Sequence, residues 1–324
     1  MTIVTEHEGV NPVVAEVVRS GFAESQHRGA VAGLAADGTQ VISVGDTAAP
    51  FFPRSANKPL QAAAMLRLGL DLDGELLALA AASHSGEDFH VEGVRKILSG
   101  AGLTEDDLRC PPSWPLDPET ARQVIARGED MSRIRMNCSG KHAAMLATCV
   151  LNRWPTAGYL AQDHPLQQAI RGTVEELAGQ RSPAVGVDGC GAPLFALTLA
   201  GLARSFLALV LADPGTPERR VADAMRAYPA WTSGTTRDER LLMDAVPGLL
   251  VKGGAEGVDA FALADERGVR AGAVKIDDGA PRARTPVTVA VLRRLGAVVP
   301  EELATVPVPG GDAVVGEVRA VGWS

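Results

Sequence analysis

Strand-like periodicity at both ends of the chain, with helix-like periodicity between them, restricts this sequence to few folds. Apolar residues alternate through 13–18 and 29–33, and Ala36-Asp-Gly38 supplies a turn into Val41-Ile-Ser-Val44. Residues from about 12 to 46 therefore read as strands. Strands are predicted again at 249–252, 260–264 and 269–276, with Asp265-Glu-Arg-Gly268 as a turn, and a short one at 313–321. Between these ends, apolar spacing close to 3.6 predicts helices at 60–68, 91–98, 141–151, 165–177 and 193–207, and a last helix follows at 288–295. A short strand at 183–187 is expected to end in Asp188-Gly-Cys-Gly191, a turn feeding the helix after Pro193. Strands separated by so much helix can cover their apolar faces only by pairing end with end. The predicted class is α+β: one antiparallel sheet built from both chain ends, flanked by helices, in a single domain over 1–324 with a helical subregion at about 60–245.

Composition excludes several functions. Hydrophobic residues make up 46% and charged residues 22% of the 324, the balance of a globular protein. The net charge of −8 is spread along the chain and aromatics are sparse, so neither a basic nucleic-acid surface nor a base-stacking platform is expected. No apolar stretch is long enough to span a bilayer, and the first residues lack the basic start and apolar run of a secretory signal. Four scattered cysteines do not make a disulfide framework. A cytoplasmic protein is the expectation.

The lysines are unusual. Only five occur, against twenty-six arginines, and three lie among Ser, Cys and Gly: Arg54-Ser-Ala-Asn-Lys58, Asn137-Cys-Ser-Gly-Lys-His142 and Lys252-Gly-Gly-Ala-Glu-Gly257. Arginine serves solubility equally well but keeps its proton, whereas a buried lysine can release one. Ser55-x-x-Lys58 places an amine one turn from a hydroxyl ahead of a helix, although Pro59 disfavours helical geometry at Lys58. Lys252 ends a strand, and the glycines after it would let a substrate approach the strand edge. Ala82-Ser-His-Ser-Gly-Glu87 joins two helical stretches and reads either as an active-site turn or as a helix cap. Cys138 and Cys190 could supply thiolates to Zn²⁺, with His142 as the local choice of nitrogen ligand, since an amine must first lose its proton; buried cysteines that only pack are the competing reading.

Taken in order, Pro53-Arg-Ser-Ala-Asn-Lys-Pro-Leu-Gln61, Ala82-Ser-His-Ser-Gly-Glu87, Asn137-Cys-Ser-Gly-Lys-His142, Val187-Asp-Gly-Cys-Gly-Ala-Pro193 and Lys252-Gly-Gly-Ala-Glu-Gly257 resemble the rhizobial-type (class 3) L-asparaginases, the asparaginase II family. The resemblance implies a fold related to serine β-lactamases and glutaminases. It also implies hydrolysis of L-asparagine to L-aspartate and ammonia through two Ser-Lys tandems, Ser55 with Lys58 and Ser83 with Lys252. Arg54, Asp188 and His142 would line the substrate pocket, Asp188 taking the substrate amine. Zn²⁺ would be held by Cys138, Lys141 and Cys190, where the local reasoning chooses His142 instead. A homodimer is implied. Which serine is acylated, and whether Ser83 or Ser85 serves, stay open. The alternatives are another serine amidohydrolase of the same fold, such as a glutaminase or β-lactamase-like enzyme, and a non-catalytic amino-acid- or metal-binding regulator.

Overall fold

A computed structural model describes residues 3–5 and 10–323; most of the N-terminal stretch read for a targeting signal lies outside them. Strands β1 (Ile3–Thr5), β2 (Val13–Arg19), β3 (Phe22–Leu34) and β4 (Gln40–Val44) open the chain. Helices α1 (Lys58–Arg67), α2 (Gly74–Ala80), α3 (Asp88–Gly100), α4 (Pro118–Ala126), α5 (Ser139–Leu151) and α6 (Pro165–Ala178) follow. A hairpin of β5 (Val185–Val187) and β6 (Pro193–Phe195) leads into α7 (Leu199–Leu211), α8 (Pro217–Ala227), the single turn α9 (Pro229–Thr232) and α10 (Asp238–Ala245). The chain closes with β7 (Leu249–Gly254), β8 (Val258–Asp265), β9 (Gly268–Ile276), α11 (Pro281–Arg294), β10 (Thr305–Gly310) and β11 (Ala313–Ala320).

The two ends form one nine-stranded sheet, ordered β10-β11-β2-β3-β9-β8-β7. Long β3 joins its halves: its first residues pair with β2, and its last pair with β9 on one side and β4 on the other. Every pairing is antiparallel except that of β1 with β4, which the sequence did not reveal. The predicted α+β class holds. Among the described residues, no helix is long and apolar enough to cross a membrane.

Alternation sorts the central strands into two different faces. Ala30, Ala32, Ala260, Ala262, Ala271 and Ala273 point into the larger core, with Leu199, Leu202 and Phe206 of α7. Val31, Phe261, Leu263, Val274 and Ile276 point the other way, into a core shared with α11 and α10. Small side chains on one face let α7 lie close to the sheet, while bulky ones on the other fill the wider gap beneath α11. The helix expected at 193–207 begins six residues late. Pro193–Phe195 pairs instead with β5, and α7 starts where Thr198 Oγ1 accepts the Gly201 amide at 3.0 Å as an N-cap.

Candidate active site

Ser55 and Lys58 stand at the mouth of α1. Ser55 lies in a single 3₁₀ turn, Arg54–Asn57, and Lys58 is the first residue of the α-helix, with φ −60° and ψ −36°. The expectation that Pro59 would draw Lys58 out of helical geometry fails here, because a proline in the first turn has no amide hydrogen to leave unpaired and its φ suits the helix. Arg54, just before Ser55, is left-handed at φ 51°, a conformation costing a non-glycine residue roughly 1–3 kcal/mol. Its guanidinium is anchored on both sides: Nε donates to Asp188 Oδ1 at 2.8 Å, and Nη1 lies 3.6 Å from Glu256 Oε1.

Lys58 is 1% exposed, and its amine reaches away from its own turn. Nζ donates to the Ala82 carbonyl at 2.6 Å and to Ser83 Oγ at 2.9 Å. Among the described residues no hydrogen bond joins it to Ser55. The lysine that the sequence pairs with the nearer serine thus contacts the farther one.

Backbone bonds fix Ser83 in place: its amide donates to Thr232 O at 3.2 Å and the next amide, of His84, donates to Asn137 O at 3.1 Å. His84 clamps the loop further. Ser139 Oγ donates to Ile134 O, so its oxygen is free to accept from His84 Nε2 at 2.8 Å, while His84 Nδ1 accepts the Gly86 amide at 3.1 Å. This fixes a neutral ring with the proton on Nε2, in keeping with the downward push on its pKa from burial and from nearby His90 and Lys58. Ser85 has a different task. It is buried, and its hydroxyl donates to Ser233 O at 3.0 Å.

Lys252 sits on β7, 0% exposed, with Nζ donating to the Gly253 carbonyl at 2.6 Å. Glu239 Oε1 of α10 is 3.9 Å away. Burial pushes the amine down to about 7; Glu239 opposes this, while Lys58, Arg237 and Arg284 add to it. The two glycines that follow make room for protein and not for substrate. A Cβ at Gly253 would lie 2.5 Å from Arg284 Nη1 and 2.6 Å from Glu239 Oε1, and one at Gly254 would lie 2.6 Å from the Pro53 carbonyl. The first glycine therefore admits an ion cluster to Lys252, and the second seats the Ser55 turn against β7. Glu239, Arg237, Arg284 and Asp259 carry no motif. The only sequence signal for them is the acidic pair Asp238-Glu239 opening an amphipathic stretch.

Lys141 and Cys190 meet, and Cys138 lies one turn before Lys141. Cys138 caps α5, and Cys190 comes from the β5–β6 turn, where Gly191 at φ 87° takes the left-handed position. Lys141 Nζ is 3.2 Å from Cys190 Sγ, which lies 3.8 Å from Asp188 Oδ2. The neighbouring Cys138 and the Lys141 ammonium hold the Cys190 thiol far below its ordinary value against burial; Cys138, whose Sγ donates to Asn137 Oδ1 at 3.1 Å, is pushed well above its own. His142, the local choice of ligand, turns Nδ1 to Tyr159 Oη at 2.6 Å, and its Nε2 is buried without a hydrogen-bond partner. Two sulfurs and an amine suit Zn²⁺ by donor type. Among the described residues, no group of three His, Cys, Asp or Glu side chains is placed to hold a metal.

Arg54 and Asp188 link the Ser55 turn to the β5–β6 turn that carries Cys190. The family profile for L-asparaginase II matches residues 15–320, and the chain belongs to that amidohydrolase family. Among solved structures, the chain is similar to a Bacillus glutaminase crystallised in 4.3 M NaCl, at 15% identity over 85% of this chain and 91% of that one, TM-score 0.45. It is also similar to Mglu in its native form in 4.3 M NaCl, at 17% identity over 94% and 67%, TM-score 0.45. A comparison with curated proteins gives no match.

Proposed function

We propose that the protein is an L-asparaginase that releases ammonia through an acyl-enzyme on Ser55, served by Lys58, Ser83 and Lys252. The observation that carries this reading is the buried 2.9 Å hydrogen bond between Lys58 Nζ and Ser83 Oγ. It connects the lysine of the first motif to the serine of the second, so the two tandems act as one proton path. Lys58, one helical turn from Ser55, takes the hydroxyl proton as Ser55 Oγ attacks the side-chain amide carbon. The proton passes through Ser83 to the leaving nitrogen, the C–N bond breaks, and ammonia departs. Water then attacks the ester, gives up a proton along the same path, and aspartate is released. Lys252, pushed down to about 7, is fit to exchange protons at neutral pH.

Asp188 and Arg54 are proposed to bind the substrate amine and carboxylate, with His142 beside them. Zn²⁺ held by Cys138, Lys141 and Cys190 would supply a Lewis-acidic cation next to Asp188; its test is the zinc content of protein purified without added metal, expected to be stoichiometric. A cytoplasmic homodimer is part of the reading.

Ammonia release from L-asparagine, L-glutamine and a chromogenic β-lactam tests the substrate. Asparagine is expected to turn over fastest; faster turnover of either rival contradicts the reading. Ser55→Ala and Lys58→Met are each expected to lower kcat by roughly 10²–10⁴-fold. Full ammonia release in both would contradict this mechanism.

A further inference from the structure

Behind Lys252 lies a set of buried charges that the proposed reaction does not use. Glu239 of α10 is 1% exposed and receives Arg237 Nε on Oε2 at 3.3 Å and Nη2 on Oε1 at 3.4 Å. Arg284 of α11 is 7% exposed. It donates Nη2 to Asp238 Oδ2 at 2.6 Å, and its Nε faces Asp259 Oδ1 of β8 at 3.4 Å without hydrogen-bond geometry. Thr285 and Thr288 hydroxyls close the set on Asp238 and Asp259. The missing side chain at Gly253 leaves the space that Glu239 and Arg284 fill.

We infer that Glu239, reaching Lys252 across the space left by Gly253, is the positioning residue that governs the charge of that amine, in opposition to Arg237. The inference rests on the proposed role of Lys252 only for its effect on catalysis, not for the effect on the amine itself.

The charged groups acting on Lys252 are Lys58 from α1, Arg237 and Glu239 at the start of α10, and Arg284 from α11. All three cations oppose its protonation by direct charge, and burial opposes it most. Glu239 is the anion closest to its Nζ, at 3.9 Å. Burial works against the charge of Glu239 too, yet Arg237 and Arg284 hold its carboxyl well below the usual range, so it stays ionised wherever the enzyme operates. Asp259, pushed up to about 6 by burial, is the weaker anion. Take Glu239 away and burial and three cations act on Lys252 unopposed: the amine sheds its proton at lower pH. Take Arg237 away and the reverse follows.

Only five lysines occur, so labelling the full chain with ¹³Cε-lysine gives few resonances, and the signal lost in Lys252→Met assigns Lys252. Its titration midpoint is expected to fall by roughly 1–3 pH units in Glu239→Gln and to rise in Arg237→Gln, while Lys96 stays put. An unmoved midpoint in Glu239→Gln, or shifts of the same sign in both variants, overturns the inference. Should Glu239→Gln fail to fold, Arg237→Gln decides alone, its side chain being 27% exposed: a raised midpoint supports the inference and an unmoved one refutes it. The low-pH limb of kcat/KM should follow each midpoint. Midpoints that move while the limb does not would remove Lys252 from the reaction and leave the inference about Glu239 standing.

Discussion

Three of the five lysines, Lys58, Lys141 and Lys252, are almost completely buried, whereas Lys96 is exposed and Lys275 half-buried. A buried ammonium is costly, and proteins hold one where its proton can be exchanged or shared. The contrast between arginine-rich surface and lysine-bearing interior was legible in the sequence, because composition and local motif pointed to the same positions. The partner of Lys58 was not. Spacing puts Ser55 one turn away, but the side chain's four carbons carry the amine to Ser83, and only the packed structure decides between them. Lys96→Arg is expected to leave ammonia release unchanged, while Lys58→Arg and Lys252→Arg lower kcat by roughly 10²-fold or more, since a guanidinium cannot give up its proton. The same chemistry fixes a pH dependence. With Lys252 at about 7 and active as the free amine, kcat/KM should rise as pH climbs through neutrality. A flat profile from pH 6 to 8 in a rate assay would contradict this.

Elements were legible where one period prevailed. The β7–β9 strands and helices α1, α3, α5 and α6 are near their predicted positions, because each has a single apolar pattern. The stretch after Pro193 misled because Pro-Leu-Phe-Ala-Leu is apolar in either period, and pairing with β5 decided it. The glycines after Lys252 misled for another reason: what fills the space of a missing side chain cannot be read from the glycine. Gly253→Ala is expected to separate Glu239 and Arg284 from the strand, destabilising the fold by about 1–3 kcal/mol in denaturant unfolding. Gly254→Ala should lower activity more than its stability loss explains, because it displaces the Ser55 turn through the Pro53 carbonyl.

For the whole molecule, the site is a seam. The sheet joins chain ends through β3, β7 meets the Ser55 turn, α10 and α11 bring charges behind Lys252, and the β5–β6 turn carries Asp188 and Cys190 to the front. Long-range closure of this kind was visible as strands at both ends, but the side chains it brings together, Glu239 and Arg284 foremost, follow from packing. Keeping an amine in such a place lowers stability. Between about 7 and the ordinary value near 10.4, the unfolded chain holds a proton at Lys252 that the folded chain does not, so this residue's contribution to stability rises with pH across that window. Lys252→Met removes this slope and is expected to stabilise the protein at pH 7 by about 1–4 kcal/mol while abolishing activity, as apolar replacements of buried charges often do. Unfolding curves of wild type and variant at pH 7 and pH 9 should show the difference shrinking at the higher pH.

The central claim is that Lys58 and Ser83 form one proton path in an asparagine-hydrolysing site. The most direct test is kcat for ammonia release from L-asparagine by Ser83→Ala, with folding verified by circular dichroism. A fall of roughly 10²–10⁴-fold is expected. Activity equal to wild type would mean that the buried Lys58–Ser83 bond holds the loop in place and takes no part in the chemistry.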